Sequence, residues 1–175
     1  LAQCFADSFK NEASATTRFL GRDELDFEYD LFEQLSELSE IPDVIINTVA
    51  YTAVDKAESE EELAQRVNAE AVSELADFCA LHDIVLIHFS TDYVFNGEKK
   101  SPYTEDDECN PLGVYGRTKR EGELAVLECA TGIVIRLSWL HSNYGKNFYL
   151  AMKNAMASDP SREFRVVSDQ LGCPT

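Results

Sequence analysis

A tyrosine and a lysine four residues apart, Tyr115 and Lys119, form the pattern in this sequence that is best suited to chemistry. They follow a loop with Pro111 and Gly113, and the residues after that loop predict a helix, which places both side chains on one face. A phenol with a pKa of about 10 is a weak acid at neutral pH, but a nearby ammonium group favours its phenolate form. The pair is therefore suited to give a proton to a carbonyl oxygen while hydride reaches the carbonyl carbon.

The same spacing occurs a second time, at Tyr149 and Lys153. These two residues lie in a predicted amphipathic helix without a loop in front of it, and we interpret them as structural. For Tyr115 and Lys119 a structural interpretation also stays open, in which an aromatic residue begins a helix and the lysine is solvated.

Hydroxyl groups come at the end of a predicted buried strand, where Ser90 and Thr91 follow residues 84–89. Side chains at the carboxyl end of a parallel strand face the ligand crevice, so we expect Thr91 or Ser90 to hydrogen-bond the same substrate oxygen. The alternative is that they cap a turn. Residues 47–52 likewise end a strand, and their small side chains would let a cofactor lie close to the backbone.

Apolar residues alternate along the chain between helical spacing and short continuous runs. The spacing predicts helices over residues 1–9, 32–38, 60–82, 115–129 and 147–157. The continuous runs predict strands over residues 16–20, 44–46, 84–87, 133–137 and 164–167. Strands that alternate with helices indicate right-handed crossovers, and so an α/β fold with a Rossmann-like, doubly wound parallel sheet. Ligands of such folds bind beyond the carboxyl ends of the strands.

Charge and composition narrow the classes of function. The 175 residues carry a formal net charge of -17, which repels a phosphate backbone and argues against nucleic acid as a partner. Local basic residues still permit a small phosphate-bearing ligand. No apolar stretch approaches the roughly 20 residues of a membrane span, and residues 1–10 lack the pattern of a secretory signal. We therefore expect a cytoplasmic protein without a membrane segment.

Neither the cysteines nor the acidic residues predict a metal site. The five cysteines are widely separated and form no C-x-x-C pair, which is typical of reduced thiols. Residues 105–108 are four adjacent acids, and four neighbours in sequence do not easily converge on one ion. We interpret them as a solvated loop.

Four segments together resemble the dTDP-4-dehydrorhamnose reductases of the extended short-chain dehydrogenase/reductase family. They are residues 52–58 (TAVDKAE), 90–95 (STDYVF), 111–119 (PLGVYGRTK) and 169–175 (DQLGCPT). They follow the order of that family and span nearly the whole chain. The resemblance implies that Tyr115 donates a proton, that Lys119 holds the nicotinamide ribose and lowers the pKa of the phenol, and that Thr91 completes the catalytic triad.

The resemblance also implies residues that bind the ligands. On the cofactor side, beside Tyr115 and Lys119, it implies Arg22, Asp26, Phe27, Val49, Ala50 and Tyr51. Arg22 is expected to pair with a 2′-phosphate and thus to favour NADP(H), with NAD(H) as the alternative. On the substrate side it implies Val54, Asp55, Trp139 and residues 169–175. Asn68 resembles a structural asparagine of the wider family, although an ordinary asparagine on a helix surface is the competing interpretation.

From the resemblance we expect a fragment of an NAD(P)-binding domain over residues 1–175, without its first strand, its Gly-rich turn and most of a C-terminal substrate-binding region. The implied activity is NADPH-dependent reduction of the 4-keto group of a dTDP-sugar, dTDP-4-dehydro-6-deoxy-L-mannose. Two alternatives stay open: a non-catalytic regulatory subunit like that of methionine adenosyltransferase, and another nucleotide-sugar epimerase or dehydratase. Some members of the family use Mg²⁺, which the sequence itself does not support, and a homodimer stays open as the assembly.

Overall fold

The computed structural model describes residues 1–10, 12, 14–159 and 161–175. They form two compact units, each described here by itself. The larger unit comprises Leu20–Arg136, and the smaller one combines Leu1–Phe19 with Leu137–Thr175.

Helices account for most of the regular structure. They are α1 (Ala2–Phe9), α2 (Leu31–Ser36), α3 (Val54–Ala57), α4 (Glu61–Gln65), α5 (Ala71–His82), α6 (Val114–Glu128) and α7 (Phe148–Ser158). A π-helical turn, Arg66–Glu70, joins α4 to α5, so that the helix predicted over residues 60–82 contains one wide turn. The predicted helices are all found, with ends that differ by a few residues.

The sheet has three strands, β1 (Val44–Asn47), β2 (Val85–Thr91) and β3 (Gly132–Leu137), in the order β1-β2-β3. β1 and β2 are parallel, and Asn47 lies opposite His88 at the end of the register. The predicted α/β fold with a parallel sheet is thereby confirmed. Because β1 and β2 run in the same direction, the residues that follow them reach the same edge of the sheet.

The hydrophobic core of the larger unit lies between α2, α5, α6 and the sheet. Its fully buried members include Leu31, Val72, Phe78, Leu86 and Val126. Phe32 of α2 meets Phe78 of α5 edge to face, with ring centroids 5.7 Å apart. This packing fixes α5 and α6 against β2, and α6 carries the predicted Tyr115 and Lys119.

Two predicted strands are absent from the structure. Residues 16–20 and residues 164–167 form no strand. Residues 16–19 are exposed, as are three of the four residues 164–167, so neither run has a covered apolar face. A strand also needs a neighbour to share its backbone hydrogen bonds, and neither run pairs with β1, β2 or β3. Apolar and β-branched composition alone was therefore a misleading signal at both places.

In the smaller unit, the end of the chain lies beside the segment that follows β3. Thr175 N donates to Ser138 O, and His141 N donates to Thr175 O, both at 3.1 Å. The indole of Trp139 lies so close to Gly172 that a Cβ there would come within 2.7 Å of it. Glycine at this position is therefore required by the contact with Trp139.

The described helices, thiols and acidic side chains bear on a membrane span, a disulfide and a metal site. None of the described helices is both long and apolar enough to span a bilayer. All five cysteines are free thiols. Across residues 1–10, 12, 14–159 and 161–175, no three His, Cys, Asp or Glu side chains are grouped so as to hold a metal ion. Asp107 of the acidic loop instead accepts from Lys99 Nζ at 2.5 Å and from Thr104 N at 2.6 Å.

Candidate active site

Thr91 and Tyr115 meet where β2 ends and α6 begins. Thr91 is the last residue of β2, and its hydroxyl accepts from Tyr93 N at 3.2 Å, so it caps a 3₁₀ turn, Asp92–Val94. Its hydroxyl donates to Asp92 Oδ1 at 3.2 Å, and it lies close enough to the phenol of Tyr115 to lower the pKa of that group. The turn-capping role and the contact with the tyrosine are thus both present. The ring of Tyr93 meets that of Tyr115 edge to face at 5.6 Å and borders the phenol.

The phenol of Tyr115 keeps its proton in this setting. Burial raises the pKa of Tyr115, the nearby hydroxyl of Thr91 lowers it, and the negative charge of Asp92 raises it again, so that the pKa lies above its usual value. A neutral phenol is the form that an acid needs before it donates a proton. In this structure the group that lowers the pKa of Tyr115 is Thr91, and the lowering expected of Lys119 stays a prediction.

Lys119 is buried beneath the carboxyl end of β2, with 1% of its surface exposed. Its Nζ donates to Phe89 O at 2.7 Å and lies 3.0 Å from His88 Nε2. Burial lowers the pKa of Lys119 to about 8, and the negative charge of Glu123 opposes that change. The lysine on this helix face is therefore a desolvated amine and not the solvated side chain of the structural interpretation.

His88 links Lys119 to β1. Its ring is fully buried, and its Nδ1 lies 3.0 Å from Asn47 Nδ2. Asn47 Oδ1 accepts from Val49 N at 2.9 Å, which fixes the orientation of that amide. Burial lowers the pKa of His88 to about 3, the charge of Lys119 acts in the same direction, and Glu123 opposes both. The ring is therefore neutral at physiological pH.

Asn68, in the π-helical turn, holds the segment after β1. Its Oδ1 accepts from Tyr51 N at 2.9 Å, and its Nδ2 donates to Tyr51 O at 3.1 Å and to Thr118 Oγ1 at 3.2 Å. Asn68 is fully buried, so the interpretation as a surface asparagine is wrong. Thr48, Val49 and Ala50 precede Tyr51, and Val49 and Ala50 remain at or near the surface beyond the end of β1. This is where the sequence predicts the lining of a cofactor site.

A buried carboxylate on α6 lies one turn beyond Lys119. Glu123 is fully buried and accepts from Arg136 at 2.7 and 2.8 Å and from Arg120 at 2.8 Å. Burial alone would raise the pKa of Glu123, but the hydrogen bonds from Arg136 and Arg120 hold it below its usual value. Arg136 also lies over the ring of Phe95, 5.0 Å from its centroid. The cluster fixes α6 to β3 and to the loop after β2.

Two glycines let α6 approach its neighbours. A Cβ at Gly116 would come within 2.2 Å of Tyr93 O, and one at Gly122 within 2.2 Å of Asn68 O. Any side chain at either position would push α6 away from the 3₁₀ turn or from the π-helical turn. Glycine at both positions therefore keeps Tyr115 and Lys119 at the end of β2.

Of the residues predicted on the adenine side, Arg22 and Asp26 lie at the surface, whereas Phe27 is buried. The exposed guanidinium of Arg22 donates to Asp26 at 3.2 Å and also pairs with Glu28. Both carboxylates raise the pKa of Arg22 and offset its charge. Phe27 is only 7% exposed and belongs to the hydrophobic core. Arg22 and Asp26 are thus brought together at the surface, while the ring of Phe27 packs inside.

The substrate-side residues fall into two groups. Val54 and Asp55 begin α3, three residues after the segment that Asn68 holds, with Asp55 exposed. Trp139 is half exposed and packs beside Gly172. Gly172 belongs to residues 169–175, which were also predicted on the substrate side. Tyr149 and Lys153, the second pair with this spacing, lie on α7, where Lys153 Nζ is 5.9 Å from the centroid of the Tyr149 ring.

His88, Asn47 and Glu123 are not among the residues that the sequence predicted for the site. A signal for His88 was present, since it lies between Leu86 and Ser90 on the face of β2 that is buried. A histidine among the buried positions of a strand needs polar partners, and the residues at the carboxyl ends of β1 and β2 could supply them. Glu123 has one local partner, Arg120, three residues before it on α6, but its other partner, Arg136, comes from β3 and gave no signal in the sequence.

Curated proteins that this chain resembles are named dTDP-4-dehydrorhamnose reductase. A curated relative from Sinorhizobium fredii, named dTDP-4-dehydrorhamnose reductase, is 49% identical over 135 residues, which are 77% of this chain and 45% of the relative. The chain thus spans about half the length of the curated relatives it matches.

Solved structures of the same name have the same fold. The dTDP-4-dehydrorhamnose reductase of Clostridium acetobutylicum matches with a TM-score of 0.88 and 35% identity, covering 99% of this chain and 61% of that one. The Bacillus anthracis enzyme, solved in complex with NADP, matches with a TM-score of 0.82 and 31% identity over 90% and 56%. The family model described as RmlD substrate binding domain matches residues 5–175, and the chain therefore belongs to that family.

Proposed function

We propose that the protein containing this chain reduces the 4-keto group of dTDP-4-dehydro-6-deoxy-L-mannose to give dTDP-L-rhamnose, with NADPH as the hydride donor. The observation that carries the proposal is the buried Lys119, whose Nζ donates to Phe89 O at 2.7 Å, with the protonated phenol of Tyr115 one turn before it on α6 and Thr91 at the end of β2. The name shared by the relatives supports the substrate, and the NADP bound to the Bacillus anthracis enzyme supports the cofactor.

The reaction balances with the groups that this chain provides. NADPH, when bound, supplies the hydride that forms the new C–H bond at C4 of the sugar. Tyr115 gives its phenolic proton to the former carbonyl oxygen, and the phenolate that results lies beside the hydroxyl of Thr91, which lowers the pKa of Tyr115. A charged Lys119 would favour that phenolate further. The protein then has to take one proton from solvent to restore the phenol.

The residues of the chain fit a dinucleotide cofactor. Val49 and Ala50 extend beyond the carboxyl end of β1, and Asn68 holds the backbone of Tyr51 by both its N–H and its C=O. Ligands of parallel sheets bind at this edge. We assign these residues, with Tyr115 and Lys119, to the nicotinamide side, Arg22 and Asp26 to the adenine side, and Val54 and Asp55 to the sugar substrate. The role of Trp139 in substrate binding stays a separate prediction. Phe27 would contribute indirectly, as a residue of the hydrophobic core next to Asp26 in the sequence.

The proposal also includes a cytoplasmic location, a homodimer and a preference for NADPH over NADH. Five free cysteines suit the reducing cytoplasm. The homodimer and the choice of NADPH over NADH stay predictions. A regulatory subunit on the same scaffold would bind a nucleotide without turning over the sugar, and an epimerase or dehydratase would turn it over without net oxidation of NADPH. Loss of NADPH absorbance with the keto sugar therefore separates the reductase from both.

The direct test is Tyr115→Phe in the complete protein. We expect turnover to fall by at least about 100-fold, because a general acid is lost, while the dissociation constant for NADPH changes little. The measurements are NADPH oxidation with dTDP-4-keto-6-deoxy-L-mannose and titration of NADPH.

Tyr149→Phe is the matched control, since it removes the same hydroxyl from the other pair with this spacing. Its rate should equal that of the unaltered protein. If Tyr115→Phe keeps turnover within about threefold, or if Tyr149→Phe loses it, the assignment of the proton donor is wrong.

A further inference from the structure

The hydrogen bonds of His88 constrain where its single ring proton lies. Asn47 Oδ1 is occupied by Val49 N–H at 2.9 Å, so Asn47 presents its Nδ2, a donor, to His88 Nδ1 at 3.0 Å. Nδ1 must then be the acceptor, and a neutral imidazole carries its proton on the other nitrogen. The proton of His88 therefore lies on Nε2.

That proton points at Lys119. Nε2 lies 3.0 Å from Lys119 Nζ, so with the ring proton on Nε2 this hydrogen bond requires a neutral Lys119, whose Nζ accepts. The amine keeps its own donors for Phe89 O at 2.7 Å and for a ligand. An ammonium at Lys119 would instead donate to Nε2, the ring proton would have to move to Nδ1, and the Asn47 amide would have to turn round. Val49 N–H would then lose its acceptor.

We propose that His88 is a positioning residue whose tautomer, set by Asn47, is coupled to the protonation of Lys119. The whole network is buried: Asn47 is 4% exposed, Lys119 1% and His88 0%. Water therefore does not supply the missing donors and acceptors when a proton is added, and each rearrangement has to be made among these side chains.

The charged groups around the network are few. On α6, Glu123 faces both Lys119 and His88, and its charge is offset by Arg120 and Arg136. The partners from β1 and from the π-helical turn, Asn47 and Asn68, do not titrate. On the 3₁₀ turn, Asp92 and Tyr93 act on Tyr115. Among the described residues, Lys119 is thus the group whose titration the His88 ring reports.

The test reads the tautomer directly. Histidine labelled with ¹⁵N in its ring is incorporated into the complete protein, and long-range ¹⁵N–¹H spectra are recorded from pH 6 to 10, with His88→Gln to assign the signals. Lys119 is followed through its labelled ¹³Cε. We expect the proton on Nδ1 while Lys119 is charged and on Nε2 once it is neutral, with one common midpoint. The same tautomer on both sides of the Lys119 titration would overturn the proposal, as would an imidazolium in this range.

A substitution tests the role of Asn47. In Asn47→Asp a carboxylate accepts from Nδ1–H at every pH, leaving Nε2 free to accept from the ammonium. We expect the Lys119 midpoint to rise by about one pH unit or more, the size of one net hydrogen bond, and no tautomer change. Asn154→Asp adds the same charge on the exposed face of α7 and should leave the midpoint unchanged. An unshifted midpoint in Asn47→Asp would contradict the coupling.

The kinetic consequence rests on the proposed function. If the protein is the reductase, the basic limb of kcat/KM should move upward with the Lys119 midpoint in Asn47→Asp, because the charged lysine favours the Tyr115 phenolate. The two ideas fail separately. A tautomer change without reductase activity removes the function and keeps the coupling, whereas full activity without a tautomer change removes the coupling.

Discussion

Arg22 has two carboxylate neighbours that decide how it can contribute to binding. Asp26 and Glu28 already pair with its guanidinium, and the side chain is 68% exposed. A ligand phosphate would therefore compete with these carboxylates in a solvated setting, where ion pairs contribute little. Any preference for a phosphorylated cofactor that rests on Arg22 should be modest.

We predict that Arg22→Ala weakens NADPH binding by about threefold to tenfold and NADH binding less, because the lost charge-assisted hydrogen bonds exist only for the 2′-phosphate. Titration of both cofactors measures this. Lys100→Ala removes one positive charge from an exposed loop position and is the control. Equal weakening for NADPH and NADH would return Arg22 to the role of a surface residue.

At the residue level, the candidate residues that the sequence predicts come from local patterns, and their roles stay predictions. Tyr115 and Lys119 are separated by one helical turn, and Thr91 ends the strand predicted before it. Asn47, His88 and Glu123 act through partners 41, 31 and 13 residues away. Such distant pairings follow from strand register and helix packing, neither of which a local pattern contains.

Among the elements, α6 sets the positions of Tyr115 and Lys119, because Gly116 and Gly122 let this helix pack closely against its neighbours. Gly122 faces Asn68 O, and the side chain of Asn68 in turn holds Tyr51. The spacing of α6 from the π-helical turn is therefore linked to the position of the segment after β1.

We predict that Gly122→Ala lowers the free energy of unfolding by about 1–3 kcal/mol, because the added Cβ overlaps backbone and not a movable side chain. Chemical denaturation measures the change. Gly21→Ala, where a Cβ would meet nothing within 4 Å, should stay within about 0.5 kcal/mol of the unaltered protein. If Gly122→Ala is as stable as Gly21→Ala, the close approach of α6 is not required.

Elements with strong periodicity were predicted well, and those without a buried face were not. The long helix over residues 60–82 was found, but its π-helical turn gives no sign in the apolar spacing, because Val67 is still buried there. Residues 16–20 and 164–167 have β-forming composition yet no neighbouring strand among β1, β2 and β3. Pairing decides whether such runs become strands, and composition does not contain it.

For the whole molecule, buried ionisable groups shape the response of stability to acid. His88 has a pKa lowered by burial from 6.5 to about 3. Between those values the unfolded chain binds a proton at His88 that the folded chain does not bind. Stability is therefore present above pH 6.5 and is lost as the pH falls below it. Glu123, with a lowered pKa, adds a loss in the same direction at lower pH.

We predict that lowering the pH from 7.5 to 5.5 decreases the free energy of unfolding by about 1.4 kcal/mol through His88 alone. Urea unfolding at both values measures the decrease, and His88→Gln should show a smaller pH dependence even if it is less stable throughout. His82→Gln removes an exposed histidine and should keep the full dependence. Equal slopes for both variants would mean that His88 becomes charged in the folded protein.

Asn68 presents to Tyr51 what a neighbouring strand would present: one acceptor and one donor, side by side. A side chain thereby satisfies both backbone groups of Tyr51, four residues past the end of β1, without supplying any backbone. The chemical choice at that position is narrow. Aspartate offers acceptors only, and glutamine places the same amide one methylene further out. Asparagine is therefore the side chain that can imitate a peptide group here, and Tyr51 keeps both of its backbone hydrogen bonds outside any strand.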